Sequence, residues 1–162
     1  MSLPKRIEIT EVGPRDGWQN HKAMIIPTEV KAKYVKKMID AGADKIEVTS
    51  FVNPKAVPQM ANAKDLVALV QPYAKEKGCQ TIGLALNKRG VDDAVAAGVD
   101  YVGFGISVSE ELNKRNSNRK KINFDVCGLS FKHFVLFFAV VFASAYLGFM
   151  PTVTIYSNSA GA

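Results

Sequence analysis

The fold is decided by residues 80–106, which have the sequence QTIGLALNKRGVDDAVAAGVDYVGFGI. An apolar strand pattern at 80–86 is followed by a short helical pattern at 89–97, which Gly98 ends, and by a second strand pattern at 99–106. A strand, a helix and a second strand in this order predict a right-handed βαβ crossover that joins two parallel strands. This stretch therefore predicts an α/β fold built on a parallel sheet.

The residues before this stretch repeat the same rhythm. Strand patterns at 6–11 and 45–51 alternate with helical patterns at 28–39 and about 62–77. The apolar positions predicted to face the core are Val30, Tyr34, Val35, Met38 and Ile39 in the first helix and Leu66, Val67, Leu69 and Val70 in the second. Four βα units are either half of an eight-stranded barrel or a small open sheet, since a complete barrel typically needs about 250 residues.

The segment that follows the first strand pattern places a cation beside a carboxylate. Residues 11–20 have the sequence EVGPRDGWQN, with Arg15 and Asp16 adjacent. The carboxyl ends of parallel strands are where α/β folds carry their chemistry. At such a place Asp16 can hold a hard metal ion and Arg15 can hold developing negative charge. The alternative is a charged surface turn, because Gly-Pro and Asp-Gly are strong turn dipeptides.

The second strand pattern contains an acidic residue, Glu47, between two β-branched apolar residues. A carboxylate in such a position is costly to bury unless it is paired. Arg15, at the end of the neighbouring strand, is the candidate partner. A satisfied ion pair with no catalytic role is the alternative interpretation.

Two loops at strand ends carry groups suited to a ligand. Loop 50–62 contains two prolines that restrict its backbone, and Asn53, Lys55 and Gln59 offer polar contacts. Loop 107–118 contains hydroxyls, amides and cations, which suit an anionic, phosphate-bearing ligand. A solvated turn is the alternative for this second loop.

The charge distribution argues against a nucleic-acid partner. The formal net charge is +6, but up to Glu110 fifteen Lys or Arg stand against thirteen Asp or Glu. The excess is a local basic patch within residues 114–132, which is unlike a globally basic nucleic-acid binder. The two cysteines cannot form a disulfide framework and no secretory signal is visible at the N-terminus. We therefore expect a reducing compartment and favour the cytoplasm, with the mitochondrion and the peroxisome as the alternatives.

The last part of the sequence departs from the βα pattern. Residues 134–150 have the sequence FVLFFAVVFASAYLGFM, with no charged side chain. About twenty such residues can span a bilayer, so membrane association through 134–155 is one interpretation. The other is an altered end of a soluble protein. We accordingly divide the chain into a domain at 1–121 and an atypical apolar C-terminal segment at 122–162.

Three segments together resemble hydroxymethylglutaryl-CoA lyase, a family of the DRE-TIM metallolyase superfamily. They are VGPRDGWQN, IEVTSFVNPKAVPQMANA and VSEELNKRNSN, and the resemblance covers about residues 6–120. It implies a (β/α)8 TIM barrel, of which this chain carries a truncated half barrel of about four βα units. It also implies an acyl-CoA substrate, hydroxymethylglutaryl-CoA, which the family cleaves into acetyl-CoA and acetoacetate with Mg²⁺ or Mn²⁺.

The resemblance implies a role for each motif residue. By its position in the motif, Arg15 is expected to stabilise the enolate and Asp16 to bind the metal ion. Glu47 is expected to support the arginine and the reaction, and Gln19 to contact the substrate. A divalent cation can stabilise the tertiary alkoxide that the cleavage needs, and a guanidinium can hold the enolate.

The sequence also departs from the family's pattern. The family's later metal ligands, a histidine pair and an asparagine, have no counterpart here, and neither does its glycine-rich loop with a catalytic cysteine. The chain's two histidines, His21 and His133, form no metal-binding pair. We therefore expect an incomplete metal site and impaired or absent activity in this chain.

Two other functions stay open from the sequence. One is a Claisen-type acyl-CoA synthase of the same superfamily, although the long second segment favours the lyase. The other is a non-catalytic fragment that binds an acyl-CoA, a subunit or a membrane. A half barrel exposes two sheet edges and apolar surface, which favours association, including a homo-oligomer.

Overall fold

The structure is a computed structural model that describes residues 5, 7–21, 23–107 and 152–158. Its helices and strands follow each other in the order β1 (Thr10–Glu11), α1 (Gly13–Gln19), α2 (Thr28–Asp40), β2 (Lys45–Ser50), a 3-10 turn (Pro58–Met60), α3 (Ala63–Lys77), β3 (Gln80–Ala85), α4 (Lys88–Ala97), β4 (Tyr101–Ser107) and β5 (Thr152–Asn158). The predicted alternation of strands and helices is confirmed.

The strands form one sheet in the order β1-β2-β3-β4-β5. The first four strands are parallel neighbours, and β5 pairs with β4 in the antiparallel direction. Between β2 and β3 the register shifts at Glu47 and Thr49. All four parallel strands end at the same edge, which we call the carboxyl edge, and they begin at the amino edge.

The core lies between the sheet and the helices. Buried apolar side chains of α2, α3 and α4 pack against Ile46 and Val48 of β2 and Val102 of β4. Burial of this kind supplies most of the free energy that stabilises such a domain. The predicted core positions that are buried are Val35, Ile39, Leu66, Val67 and Val70.

Three predicted core positions are wrong. Val30, Tyr34 and Leu69 are exposed, by 40%, 53% and 44%. In α2 the buried positions are Lys31, Ala32, Val35 and Ile39, so the buried stripe is rotated by one residue toward a lysine. The apolar pattern misplaced the stripe because Lys31 was counted as polar surface.

The first strand is shorter than predicted, and the segment that follows it is helical. Only Thr10–Glu11 pairs with β2, while Ile7 and Ile9 are 78% and 62% exposed. Among the described strands β1 is the end of the sheet order, and an edge strand receives hydrogen bonds from one side only. Pro14 lies in the first turn of α1, where its fixed φ suits a helix start. The segment that contains Arg15 and Asp16 therefore lies on a helix rather than in a loop.

Two Gly-x-Asp tripeptides fix the amino edge of the sheet. In both, a glycine with positive φ ends a helix, at 99° for Gly42 and 82° for Gly98. Asp44 Oδ2 then accepts a hydrogen bond from the N–H of Ile9 at 2.9 Å, and Asp100 Oδ2 accepts one from the N–H of Thr81 at 2.8 Å. Each aspartate precedes its strand and binds the neighbouring parallel strand at the matching place.

Several predictions fall outside the described residues. Loop 107–118 does so after Ser107, and the segment 134–155 does so up to residue 151, after which its last residues belong to β5. The proposed division at residue 121 also lies there. In the part of the chain that is described, none of the helices has the length and apolar character needed to cross a bilayer.

Candidate active site

The sequence-predicted site residues meet at the carboxyl edge of the sheet. Helix α1 follows β1 directly and packs against β2, which brings Arg15 to Glu47. The guanidinium Nε donates to Glu47 Oε2 at 2.8 Å, and Nη1 donates to Asp16 Oδ1 at 2.7 Å. The expected pairing of Arg15 with Glu47 is therefore present, and Asp16 joins it on the solvent side.

Glu47 is the buried member of this group. It alternates with Ile46 and Val48, whose side chains belong to the core against the helices, so its own side chain points to the opposite face of β2. Only 1% of the residue is exposed. Burial raises the pKa of Glu47, and the hydrogen bond from Arg15 opposes that rise.

Arg15 is held by its two carboxylate partners in a defined orientation. A guanidinium carries five N–H groups in a planar fork, and two of its nitrogens are engaged here. Within the described residues, Nη2 has no hydrogen-bond partner. Because the Arg15 side chain is 19% exposed, this end of the fork can meet an anionic oxygen of a ligand.

Asp16 is the accessible carboxylate of the site. Its side chain is 58% exposed, and its oxygens are hard donors of the kind that Mg²⁺ and Mn²⁺ bind. No group of three or more His, Cys, Asp or Glu side chains within the described ranges is arranged to hold a metal ion. Asp16 thus fits as one ligand of a divalent cation, not as a complete site.

Gln19 lies on the last turn of α1 and faces the end of β2. Its Oε1 accepts a hydrogen bond from Ser50 Oγ at 3.4 Å, and Ser50 is fully buried. Sequence reasoning did not single out Ser50, although it follows Glu47 by three residues on a predicted strand that ends at the carboxyl edge. Ser50 therefore adds a buried hydroxyl that contacts the predicted site residue Gln19.

Loop 50–62 differs from the expectation of a ligand loop in one respect. Gln59 was predicted to offer a polar contact to a ligand, but it is buried and turned inward. Its Nε2 donates to the carbonyls of His21 and Met24 at 3.1 and 2.9 Å, and its Oε1 accepts from the N–H of Ile26 at 2.9 Å. Its amide therefore binds the backbone after α1, because a buried amide must satisfy its donors and acceptor.

The other side of this loop borders an open cavity of about 440 Å³. The cavity lies between loop 50–62 and the first turns of α3 and α4, with Asn53, Lys64, Arg89 and Asp93 among its lining residues. Lys64 and Arg89 both pair with Asp93, at 2.6 and 3.6 Å. These cations are thus engaged by a carboxylate of the chain.

Comparison with known proteins gives consistent matches. The HMGL-like family model matches residues 6–125. The mitochondrial hydroxymethylglutaryl-CoA lyase of Rattus norvegicus is 44% identical over 117 residues, which cover 72% of this chain and 35% of the rat protein. This chain thus spans about a third of the length of that relative.

Solved structures agree with the sequence matches. The crystal structure of the HMG-CoA lyase of Bacillus subtilis has a TM-score of 0.65 at 37% identity, and the match covers 74% of this chain and 39% of that one. An HMG-CoA lyase of Acinetobacter baumannii in complex with coenzyme A and 3-methylmalate has a TM-score of 0.64 at 26% identity, over 85% of this chain and 41% of that one.

Proposed function

This chain belongs to the HMGL-like family, and we propose on that premise that it carries the Arg15 half of a carbon–carbon lyase site that acts on hydroxymethylglutaryl-CoA. The products would be acetyl-CoA and acetoacetate. The observation that carries the proposal is the arrangement of Arg15 between a buried and an exposed carboxylate at the carboxyl edge. In barrels of this class that edge is where catalytic groups lie.

The chemistry assigns Arg15 to the developing enolate. In a retro-Claisen cleavage the tertiary hydroxyl gives its proton to a base, and the alkoxide becomes the ketone of acetoacetate as the adjacent carbon–carbon bond breaks. The electrons of that bond move onto the thioester carbonyl oxygen, and the resulting enolate then takes a proton at carbon to give acetyl-CoA. A guanidinium stays protonated through such a step and can hold that oxygen by hydrogen bonds. We assign this contact to Nη2 of Arg15, with Glu47 keeping the fork in place through Nε.

Asp16 and Gln19 are proposed to act on the ligand side of α1. When bound at Asp16, a divalent cation, Mg²⁺ or Mn²⁺, would polarise the hydroxyl oxygen of the substrate. Gln19 is proposed to contact the substrate, since its amide lies at the end of α1 beside Ser50. The whole-barrel architecture, with this chain as its first half, is part of the same proposal.

We expect low turnover from these 162 residues by themselves. In the family a histidine pair, an asparagine and a cysteine loop complete the site, and the sequence has no counterpart of them. The remaining arrangement supplies enolate stabilisation and one metal ligand. Groups that act as a unit in catalysis lose most of their effect when separated.

The experiment is an acetoacetate assay with purified chain, hydroxymethylglutaryl-CoA and Mg²⁺ or Mn²⁺. We expect slow product formation that Arg15→Met reduces to the level without protein. The control is Arg89→Met, whose side chain is 85% exposed and lies on α4, and which should retain the wild-type rate. An equal rate for Arg15→Met and wild type would overturn the assignment. Turnover equal to that of a full-length lyase would overturn the claim of impairment.

A second candidate is a non-catalytic segment that associates with another subunit. The exposed Ile7 and Ile9 beside the short strand β1 favour it, because such apolar side chains next to a sheet edge are typical of association surfaces. Sedimentation of the wild-type chain should then show a dimer or larger species. The double variant Ile7→Lys/Ile9→Lys should sediment as a monomer, and identical behaviour of both would remove this candidate.

The remaining alternatives receive less support. The matched proteins carry the lyase name, so the Claisen-type synthase is not favoured. Membrane association through residues 134–155 predicts that carbonate extraction leaves the chain in the membrane pellet. The cytoplasm stays our prediction for the compartment, whereas the matched rat lyase is mitochondrial by name. Cell fractionation with compartment markers decides between them.

A further inference from the structure

A fully buried lysine lies behind the candidate site. Lys31, on α2, has 0% exposure. Its ammonium donates to the backbone carbonyl of Gln59 and to Asn62 Oδ1, the second at 3.1 Å, and lies 5.9 Å from the ring centroid of Trp18. Lys31 thus joins α2 to the 3-10 turn, to the residue before α3 and to the helix that carries the site.

The partners of this buried cation are neutral. Among the described residues, its contacts are a carbonyl, an amide and an aromatic face, and none of them is a carboxylate. Burial lowers the pKa of Lys31 accordingly. A buried charge without a counter-ion is expensive, whereas a leucine or methionine would fill the same space without that cost. The lysine therefore contributes something that packing alone does not.

Its partners extend the contacts to the segment after α1. The Gln59 amide binds three backbone groups within residues 21–26. Asn62 Nδ2 donates to Thr28 Oγ1 at 2.7 Å, at the start of α2. Lys31, Gln59 and Asn62, which we call the hub, thereby hold both the chain that leaves α1 and one face of α1 itself.

We propose that the hub positions α1, so that Arg15 and Asp16 present their polar groups toward a ligand at the carboxyl edge. Lys31 is a positioning residue, because it reaches the site through Trp18 and Gln59 and touches neither Arg15 nor Asp16. The ligand in this statement rests on the proposed function. The orientation of α1 does not depend on the proposed function, and it can be measured without a ligand.

Trp18 is a built-in reporter of that orientation. It is the only tryptophan of the chain, it lies two residues after Asp16, and its ring packs partly buried against the core. A shift of α1 away from the hub would expose this ring. Intrinsic fluorescence and its quenching by acrylamide therefore measure the contact between α1 and Lys31 directly.

The test compares two hub variants with two controls. Lys31→Met removes the ammonium and keeps an unbranched stem of similar reach. Gln59→Glu keeps an acceptor for Ile26 but replaces the two donors with an oxygen facing carbonyls. Lys33→Met changes an exposed lysine on the same helix, and Val70→Ala weakens the core face of α3 without touching the hub.

We expect the acrylamide quenching constant of Trp18 to rise about twofold in both hub variants, because the ring loses its cation or its supporting backbone. The controls should keep the wild-type value while folded, as judged by circular dichroism. Lys31→Arg should keep the quenching constant near the wild-type value, since a guanidinium retains both the hydrogen-bond donors and the attraction to the ring. If Lys31→Met does not fold, Gln59→Glu carries the test with the same expected rise.

Wild-type quenching in a folded Gln59→Glu or Lys31→Met would overturn the proposal. So would an equal rise in Val70→Ala, which would indicate general loosening. In the acetoacetate assay, Lys31→Met should lower kcat about 10- to 100-fold with a smaller change in KM, as expected for misplaced reacting groups. A wild-type chain without turnover would count against the proposed function, and the quenching result would still decide the role of the hub.

Discussion

Two carboxylates at opposite edges of the parallel sheet, Asp100 and Glu47, are satisfied in different ways. At the amino edge, Asp100 Oδ2 accepts from the N–H of Thr81 at 2.8 Å and from Gln71 Nε2 at 3.1 Å, both neutral donors. At the carboxyl edge, Glu47 meets the cation Arg15, whose other end binds the exposed Asp16. Asp100 thus takes uncharged donors among its partners, whereas Glu47 belongs to a charge network that reaches solvent.

We propose that this difference separates a structural carboxylate from the carboxylates of the candidate site. A backbone N–H of β3 and a side-chain amide of α3 hold Asp100 in one place and thereby help to fix the register between β3 and β4, which is a structural task. A guanidinium shared by two carboxylates keeps N–H groups for a third oxygen and stays charged while it binds it. The contrast can be tested by removing one group from each edge and measuring both stability and ligand response.

The largest loss of stability is expected from Arg15→Met. Removing one partner of a buried ion pair costs about 3–5 kcal/mol, because the remaining charge is left uncompensated. Burial already raises the pKa of Glu47, and loss of Arg15 raises it further. Urea denaturation at pH 8 should therefore show this loss.

The same variant should lose less stability at low pH. A carboxyl with a raised folded-state pKa contributes stability that is complete below its unfolded value of 4.5 and is lost as the pH rises through the folded value. The cost of Arg15→Met should thus shrink between pH 8 and pH 5. The double variant Arg15→Met/Glu47→Gln should recover most of the loss, and a cost that is independent of pH would contradict the role assigned to Glu47.

At the amino edge, Asp100→Ala is expected to cost about 1–3 kcal/mol, since the N–H of Thr81 and the amide of Gln71 lose their shared acceptor. Thermal unfolding measures this loss. Unlike Arg15→Met, this variant should leave the acetoacetate rate and the Mn²⁺ response of the folded chain unchanged. A change in either would place Asp100 in the functional network and remove the distinction between the edges.

Much of this contrast was accessible from the sequence, and the missing parts have physical reasons. The βα rhythm predicted the parallel sheet, and the position of Arg15 just after the strand next to the one that carries Glu47 predicted their pairing. No role was predicted for the two Gly-x-Asp tripeptides that precede the second and fourth strand patterns. Their role could not be predicted, because a hydrogen bond to the adjacent strand depends on register, which local sequence does not specify.

The hub escaped prediction for a different reason. Lys31 follows the helical spacing of Val35 and Ile39, yet apolar patterning counts a lysine as surface and placed Val30 and Tyr34 in the core instead. Gln59 was expected to face a ligand because loops at strand ends often do. Tertiary contacts with residues 21–26 turned it inward, and such contacts join residues more than thirty positions apart.

A smaller loss of stability than that of Asp100→Ala is expected from Asp44→Ala. The side chain of Asp44 accepts from the N–H of Ile9 at an exposed part of the amino edge, where water can replace the lost acceptor. We expect a cost of about 0.5–1.5 kcal/mol, the net value of an ordinary hydrogen bond. Chemical denaturation measures this cost. The comparison is Asp92→Ala, which removes an exposed ion pair between Lys88 and Asp92 on α4. A loss as large as that of Asp100→Ala would mean that exposure does not set the strength of these contacts.

The smallest effect on stability, with a large effect on ligand response, is expected from Asp16→Asn. The side chain is mostly exposed, and an exposed ion pair contributes little to stability. The free energy of unfolding should therefore change by no more than about 0.5 kcal/mol. Quenching of Trp18 fluorescence by Mn²⁺ should weaken strongly, because the amide is a poorer ligand than the carboxylate. Asp100→Ala should show the reverse, a loss of stability with Mn²⁺ quenching intact. If Asp16→Asn instead destabilised the fold and left the Mn²⁺ response unchanged, both edges would be structural and the site would have to be sought elsewhere.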